Sequence, residues 1–214
     1  MRYWPDLTSS VVASKRILYI LTVSCLAAVL GCQSLPKTPE ELTTYVQDPE
    51  HGLLQEKEVG AVRMQVQYRP TDLLVNQELQ HDYSEEKVAA LRHKYGQYAY
   101  FILSYSQENK EALYQPTSYG QFSETLQNLA FRMDRFAQLT TAQQDTVPIA
   151  DFVYPRTYGY GGSTQVMLVF DRKNIPDTEW VQLVVDDVGL GAGSQRFRFR
   201  TQDIDLPLSV SFNR

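Results

Sequence analysis

The chain has 214 residues, 20 basic against 25 acidic side chains and a formal net charge of −5, and its 43% hydrophobic content suits a globular protein able to bury a real core. An acidic balance argues against nucleic acid as a partner and against electrostatic adhesion to anionic lipid.

The first sixteen residues, MRYWPDLTSSVVASKR, are long for the basic leader of an export signal and carry Trp4 and Asp6, which such leaders do not need, so they read as a start assigned too early. Lys15 and Arg16 then open an uncharged apolar run, Ile17 to Leu30, too short to span a bilayer stably and of the length of a signal-peptide core. Val29, Leu30 and Gly31 precede Cys32. This exit resembles the lipobox of bacterial lipoprotein precursors, and the resemblance covers residues 15 to 32 alone. It implies cleavage before Cys32, diacylglycerol on the Cys32 thiol and acylation of the new amino terminus. Residues 1–31 are then a signal peptide, and 32–38 a lipidated tether. Gln33 follows the cysteine where an aspartate would imply retention at the inner membrane, so the resemblance further implies the outer membrane of a Gram-negative envelope. With Arg2, Lys15, Arg16 and Asp6 gone, 20 basic and 25 acidic residues become 17 and 24, a net of −7. An alkylated Cys32 would leave no thiol for a disulfide framework, a nucleophile or a cysteine metal cluster.

From residue 39 to 214 the pattern predicts a single α+β domain, helices mainly early and a mainly β part from about residue 147. Thr38, Pro39, Glu40 and Glu41 form a helix start of hydroxyl cap, first-position proline and first-turn carboxylates, and Asp48-Pro49 stops the helix. Val62, Met64, Val66 and Tyr68 alternate with polar residues as one arm of a hairpin over Leu53 to Tyr68. Helices are expected over Thr71 to Leu79, over Ser84 to Gly96 and over Gln121 to Ala137, the last from Phe122, Leu126, Leu129, Ala130, Met133 and Phe136. YAYFILSY, Tyr98 to Tyr105, is apolar on both parities and predicts a central strand. Ile149 to Tyr154, Thr164 to Phe170, Trp180 to Asp186, Arg196 to Arg200 and Leu208 to Phe212 then read as strands of an antiparallel meander or small sandwich.

No catalytic signature emerges. Gly189-Leu190-Gly191-Ala192-Gly193 precedes a strand-like stretch where a dinucleotide loop must open a helix, so it reads as a flexible hairpin loop. Gly159-Tyr160-Gly161-Gly162-Ser163 has neither a G-x-S-x-G nor a Walker lysine. His51, His81 and His93 lack metal partners at ligand spacing, His93 reads as a cation at a helix end, and Asp186-Asp187 with Asp203 and Asp205 lack a calcium-loop frame. No cofactor and no metal are expected.

Contact surfaces remain. Tyr154, Tyr158 and Tyr160 surround a glycine-rich loop, and tyrosine offers large contact area at small entropic cost. Arg196, Arg198 and Arg200 alternate with Phe197 and Phe199, so three guanidinium groups share the outward face of one strand. They could hold an anionic partner, or pair with Asp186, Asp203 and Asp205 and keep sheet edges apart. The sequence therefore leads to a non-enzymatic envelope lipoprotein, held to the membrane by its lipid and contacting other envelope proteins. The alternative is a ligand- or glycan-binding lipoprotein that serves a transporter. A flat exposed patch favours the first and an aromatic-lined pocket the second.

Overall fold

A computed structural model describes residues 35–79, 83–115 and 118–212, and Pro36–Arg214 forms one compact unit. Helix α1 (Pro39–Gln47) begins as its sequence requires: the Glu41 amide donates to the Thr38 hydroxyl at 3.2 Å, and Glu41 in return accepts from the Lys37 amide at 2.7 Å. It stops at Asp48, and Pro49–His51 makes one 3₁₀ turn. Strands β1 (Leu54–Val59) and β2 (Val62–Arg69) form the expected hairpin, with Gly60 at φ 60° in its turn. Helices α2 (Thr71–Leu79) and α3 (Glu85–Gly96) pack on each other through Val75, Leu79, Val88 and Leu91.

Strand β3 (Tyr98–Gln107) is central, between β2 and β8 (Thr164–Asp171). The first sheet runs β1-β2-β3-β8-β7, where β7 is Asp151–Val153, and the two-residue β4 (Lys110–Glu111) pairs with the far end of β3. The second runs β10-β9-β5-β6, from Gln195–Arg200 through Trp180–Val185 and Ala137–Thr141 to Thr146–Pro148. All pairings are antiparallel. The sheets stack face to face over one core, in which Met64, Val66, Phe101, Leu103 and Phe170 meet Leu139, Leu183, Phe197 and Phe199. The Phe101 and Phe199 rings, one from each sheet, lie 5.3 Å apart. Leu74 of α2 covers Tyr100 and Val169 on the other face of the first sheet, so β3 is buried on both sides as its two-parity apolar sequence demands.

The α+β class is as the sequence predicts, but three boundaries differ. The expected helix to Ala137 ends at Phe131 as α4 (Tyr119–Phe131), a 3₁₀ turn takes Met133–Arg135, and Ala137 opens β5 opposite Val185. The helical spacing of Met133 and Phe136 is coincidental there: Met133 is fully buried from the turn, and the Phe136 carbonyl accepts the Asp186 amide at 2.7 Å. Sheet texture thus starts ahead of residue 147, and β1 to β3 bring the first half of the chain into the larger sheet. Ile149 to Tyr154 contracts to β7. Leu208 to Phe212 forms no ladder, because Pro207 sits in a tight turn (Leu208 amide to Leu206 carbonyl, 2.7 Å) and the Val210 amide goes to a side chain, Asp72.

Register fixes the two poles. Arg69 faces Tyr100 and Asp171 faces Tyr98, so α2 and α3, which join β2 to β3, lie at the pole where β3 begins. The C-terminal tail is tied there by Asp72 and Arg92, and its Ser211 amide donates to the Lys37 carbonyl at 2.9 Å, so the chain enters the unit at this pole. Thr164 faces Tyr105, so the segment from β7 to β8 lies at the opposite pole. Ten strand residues place the poles about 30 Å apart.

Candidate functional site

The tyrosine loop is built from a strained turn and a buried carboxylate. Tyr158 at φ 54° and Gly159 at φ 83° are the two central residues of a turn closed by the Tyr160 amide on the Thr157 carbonyl at 3.0 Å. Asn-Gly is the favoured pair for such a turn, and a left-handed tyrosine costs about 1–2 kcal/mol. Gly159 lies flat on the Tyr114 ring, where an added Cβ would stand 3.5 Å from the ring carbon. The Gly161 amide donates to Glu111 Oε1 at 2.7 Å, and Glu111 is 1% exposed. The Leu113 amide donates to the fully buried Thr164 hydroxyl, which ties the far end of the loop to the same segment. A loop held this way presents its tip rigidly: Tyr158 is 67% and Tyr160 95% exposed.

Tyr154 differs from its two neighbours. Its hydroxyl is buried and, like Glu111 Oε2, has no hydrogen-bond partner among the described residues. Burial first, and then Tyr114 and Glu111, push its pKa up to about 12. It packs against the core and belongs to the footing of the loop, whereas Tyr158 and Tyr160 form its exposed tip.

Arg196, Arg198 and Arg200 do project from one face of β10, with Phe197 and Phe199 each 1% exposed on the other. The charge pairing expected for the row forms only at Arg200, whose guanidinium grips Asp203 at 2.8 and 3.1 Å. Asp205 pairs instead with Arg172 at 3.0 Å. Arg198 stacks 4.0 Å from the Trp180 ring centroid and donates to Gln182 at 3.3 Å, both neutral groups. Among the described residues no carboxylate pairs with Arg196 or Arg198. The row and the tyrosine loop are not brought together. The β10 edge meets the β1 edge, where Lys57 sits 5.4 Å from the Phe197 ring, while the loop follows β7 at the other edge of the first sheet.

The Gly189 to Gly193 segment is docked, not flexible. The Asp187 carboxylate accepts the Gly189, Leu190 and Gly191 amides at 2.9–3.1 Å and so fills the cradle a phosphate would need. From the other side Thr125 donates to the Gly189 carbonyl and Asn128 to the Val188 carbonyl, while Val188 and Ala192 enter the core. A Cβ on Gly189, at φ 110°, would meet the Thr125 hydroxyl at 2.5 Å. Gly189→Ala is therefore expected to lose more than about 2 kcal/mol in urea unfolding. An unchanged midpoint would show that the segment is free.

Other sequence candidates have structural uses. His51 stacks on Tyr45 with ring centroids 3.6 Å apart, and His93 lies in the last turn of α3. His81 and Cys32 lie outside the described residues. Among the described residues no group of three or more histidines, cysteines or carboxylates is arranged to hold a metal, and no helix is long and apolar enough to cross a membrane. Three clefts stand out: 370 Å³ between α2 and the tail beside Arg92 and Arg172, 190 Å³ between the sheets below Arg172, and an open 810 Å³ groove beside Trp180 and Arg200. None has the several aromatic walls expected of a solute-binding pocket: each has one aromatic residue in its lining.

Glu111 is the site residue that sequence reasoning missed. It sits in the polar run Glu108-Asn109-Lys110-Glu111, which reads as a solvated turn, and no local pattern marks the last of the four as buried.

Comparison with known proteins adds outline likenesses alone. No family model and no curated protein matches the chain. A protein of unknown function from Burkholderia pseudomallei K96243 aligns at 11% identity and a TM-score of 0.38, over 82% of this chain and 95% of its own. A DUF4426 family protein from Pseudomonas aeruginosa PAO1 aligns at 11% identity and a TM-score of 0.36, over 69% and 91%. Neither likeness is strong enough to carry a fold or a function across.

Proposed function

We propose that the protein is a non-enzymatic lipoprotein of the Gram-negative envelope, anchored through Cys32 and presenting Tyr158 and Tyr160 to another envelope protein. The observation that carries this reading is the braced loop: two large aromatic side chains are exposed on a turn whose left-handed second residue, Tyr158, is disfavoured there, and the turn is backed by a buried carboxylate and a supporting ring. Local strain is retained where presentation of a side chain repays it. The place of the loop fits an anchored role. The tether from Cys32 reaches at most about 18 Å to Lys37, at the pole with the helix pair, and the loop stands about 30 Å away at the other. Attached through Cys32, the unit would hold its tyrosines away from the bilayer and towards a partner.

In-cell crosslinking followed by detergent extraction tests this. The Tyr158→Ser, Tyr160→Ser double variant should keep the wild-type melting temperature, or exceed it if serine suits the turn better, and lose at least about tenfold in recovery of its specific partner, the effect of removing interface hot spots. Undiminished recovery sinks the reading.

A further inference from the structure

We infer that the slot between the two sheets below Arg172 is a binding site for a small hydrophobic amine, with a short alkyl chain in the slot and the ammonium at its rim beside Asp177 and Asp205. The site lies at the pole where β3 begins, away from the tyrosine loop, and its chemistry needs no lipid anchor.

Packed interiors leave few voids larger than a water molecule, and this one measures 190 Å³. Ala99 and Phe101 of β3, Val181 of β9, Ile175, Pro176 and Ile204 line it. A void with mobile walls relaxes and shrinks, but these walls are pinned. On one side the Arg172 amide donates to the Gln97 carbonyl at 3.0 Å, and the Arg172 guanidinium donates to the Tyr98 carbonyl, the Tyr68 hydroxyl and Asp205. The Ile175 amide then bonds back to the Arg172 carbonyl at 3.1 Å. On the other side the Thr201 amide donates to the Glu179 carbonyl at 3.0 Å and the Asp205 amide to the Thr201 carbonyl at 2.9 Å, which fixes the helical turn Thr201–Ile204. The slot is therefore preformed, as ligand sites usually are.

Size and lining select the body of the ligand. An apolar cavity of about 150 Å³ takes up benzene, so this slot admits a body of that order and excludes a sugar chain or a peptide. Its apolar wall is aliphatic except for Phe101, which suits a short alkyl chain. Charge selects the head. The charged residues of the lining are Arg172, Asp177 and Asp205, one cation against two carboxylates. Arg172 is closed to an anion: Asp205 neutralises it, and each of its three guanidinium nitrogens already donates. Asp177 has no ion-pair partner among the described residues, and the Asp205 side chain is 54% exposed. An ammonium offers three donors to these oxygens, whereas a carboxylate head would be repelled and an alcohol would leave Asp177 uncompensated.

The test titrates the detergent-solubilised full chain, isotope-labelled at its isoleucine methyls, with four probes of matched length: hexylamine, hexanol, hexanoate and cadaverine. Hexylamine should move the Ile175 and Ile204 methyl signals saturably with a Kd on the order of 1 mM, and leave Ile102 and Ile149, outside the slot, in place. Hexanol should bind about threefold more weakly and hexanoate at least about tenfold more weakly. Cadaverine carries a second ammonium where the slot is apolar, so it should also bind at least about tenfold more weakly than hexylamine. Asp177→Asn should weaken hexylamine about threefold and leave hexanol unchanged. Ala99→Val, which fills the slot with a residue that suits a strand, should weaken both about tenfold, with the melting temperature confirming the fold. The inference is overturned by the absence of saturable shifts at Ile175 and Ile204, by hexanoate or cadaverine binding as tightly as hexylamine, by an equal loss of hexanol in Asp177→Asn, or by undiminished binding in Ala99→Val.

Discussion

Arg92→Ala is expected to destabilise the protein by about 3 kcal/mol in urea unfolding, and Asp72→Ala by a similar amount. Asp72 stands in the first turn of α2 with its side chain 4% exposed, and it accepts two guanidinium N–H groups of Arg92 at 2.9 and 2.6 Å and the Val210 amide at 2.8 Å. Removing Arg92 strands a buried carboxylate with one remaining donor, and breaking a buried pair in this way costs about 3–5 kcal/mol. Removing Asp72 instead leaves a guanidinium whose side chain is 36% exposed and open to water, but it also takes the acceptor from the buried Val210 amide, so the loss is of similar size. The clamp also organises the tail. Arg92 donates to the Val210 carbonyl and lies over the Phe212 ring, and Leu208 and Val210 are buried beside it. Both variants should therefore release the C-terminal residues to amide exchange ahead of global unfolding. The double variant should lose less than the sum of the singles, since each removes the same contact. Losses below 1 kcal/mol for both singles would class the clamp with ordinary surface pairs.

This clamp joins residues 138 positions apart, and it illustrates which parts of the structure the sequence could announce. What is encoded within a few residues was legible. The cap at Thr38, the alternation from Val62 to Tyr68 and the two-parity run of β3 each report a burial pattern that neighbouring residues alone decide. The Arg and Phe alternation of β10 was legible for the same reason, down to which ring faces the core. What depends on a distant partner was not. Ala137 to Thr141 belongs to a strand because Val181 to Val185 lies opposite it, and without that partner the apolar spacing fits a longer helix equally well. Leu208 to Phe212 has strand composition, but its amides are claimed by Asp72 and Lys37. The candidate site divides along the same line. Its exposed tyrosines and arginines could be named from the chain, whereas the rigidity of the tyrosine loop comes from Glu111, about fifty residues upstream of it. That Asp205 pairs with Arg172, and that Arg198 meets Trp180 and Gln182, depends on the packing of distant segments and could not be read from the chain.

Cys32→Ala is expected to abolish both incorporation of an alkyne fatty acid and membrane association. The expectation rests on the lipobox-like exit at Val29-Leu30-Gly31-Cys32 and on the acidic charge of the chain that follows it. Residues 32–214 carry a net charge of −7, which anionic headgroups repel. Buried acyl chains contribute about 0.8 kcal/mol per methylene, and two or more chains hold stably where a single one exchanges. Loss of the cysteine should then shift the protein from the outer-membrane pellet to the soluble fraction entirely, with the folded unit intact, because Pro36–Arg214 closes on itself and gives Lys37 its hydrogen bonds to Glu41 and Ser211 without help from the anchor. Gln33→Asp should keep the label and move the protein to the inner membrane. A Cys32→Ala chain that still takes up the fatty acid, or that stays with the membrane after an alkaline carbonate wash, removes the lipid anchor from the proposed function and with it the reason for placing the tyrosine loop away from the bilayer.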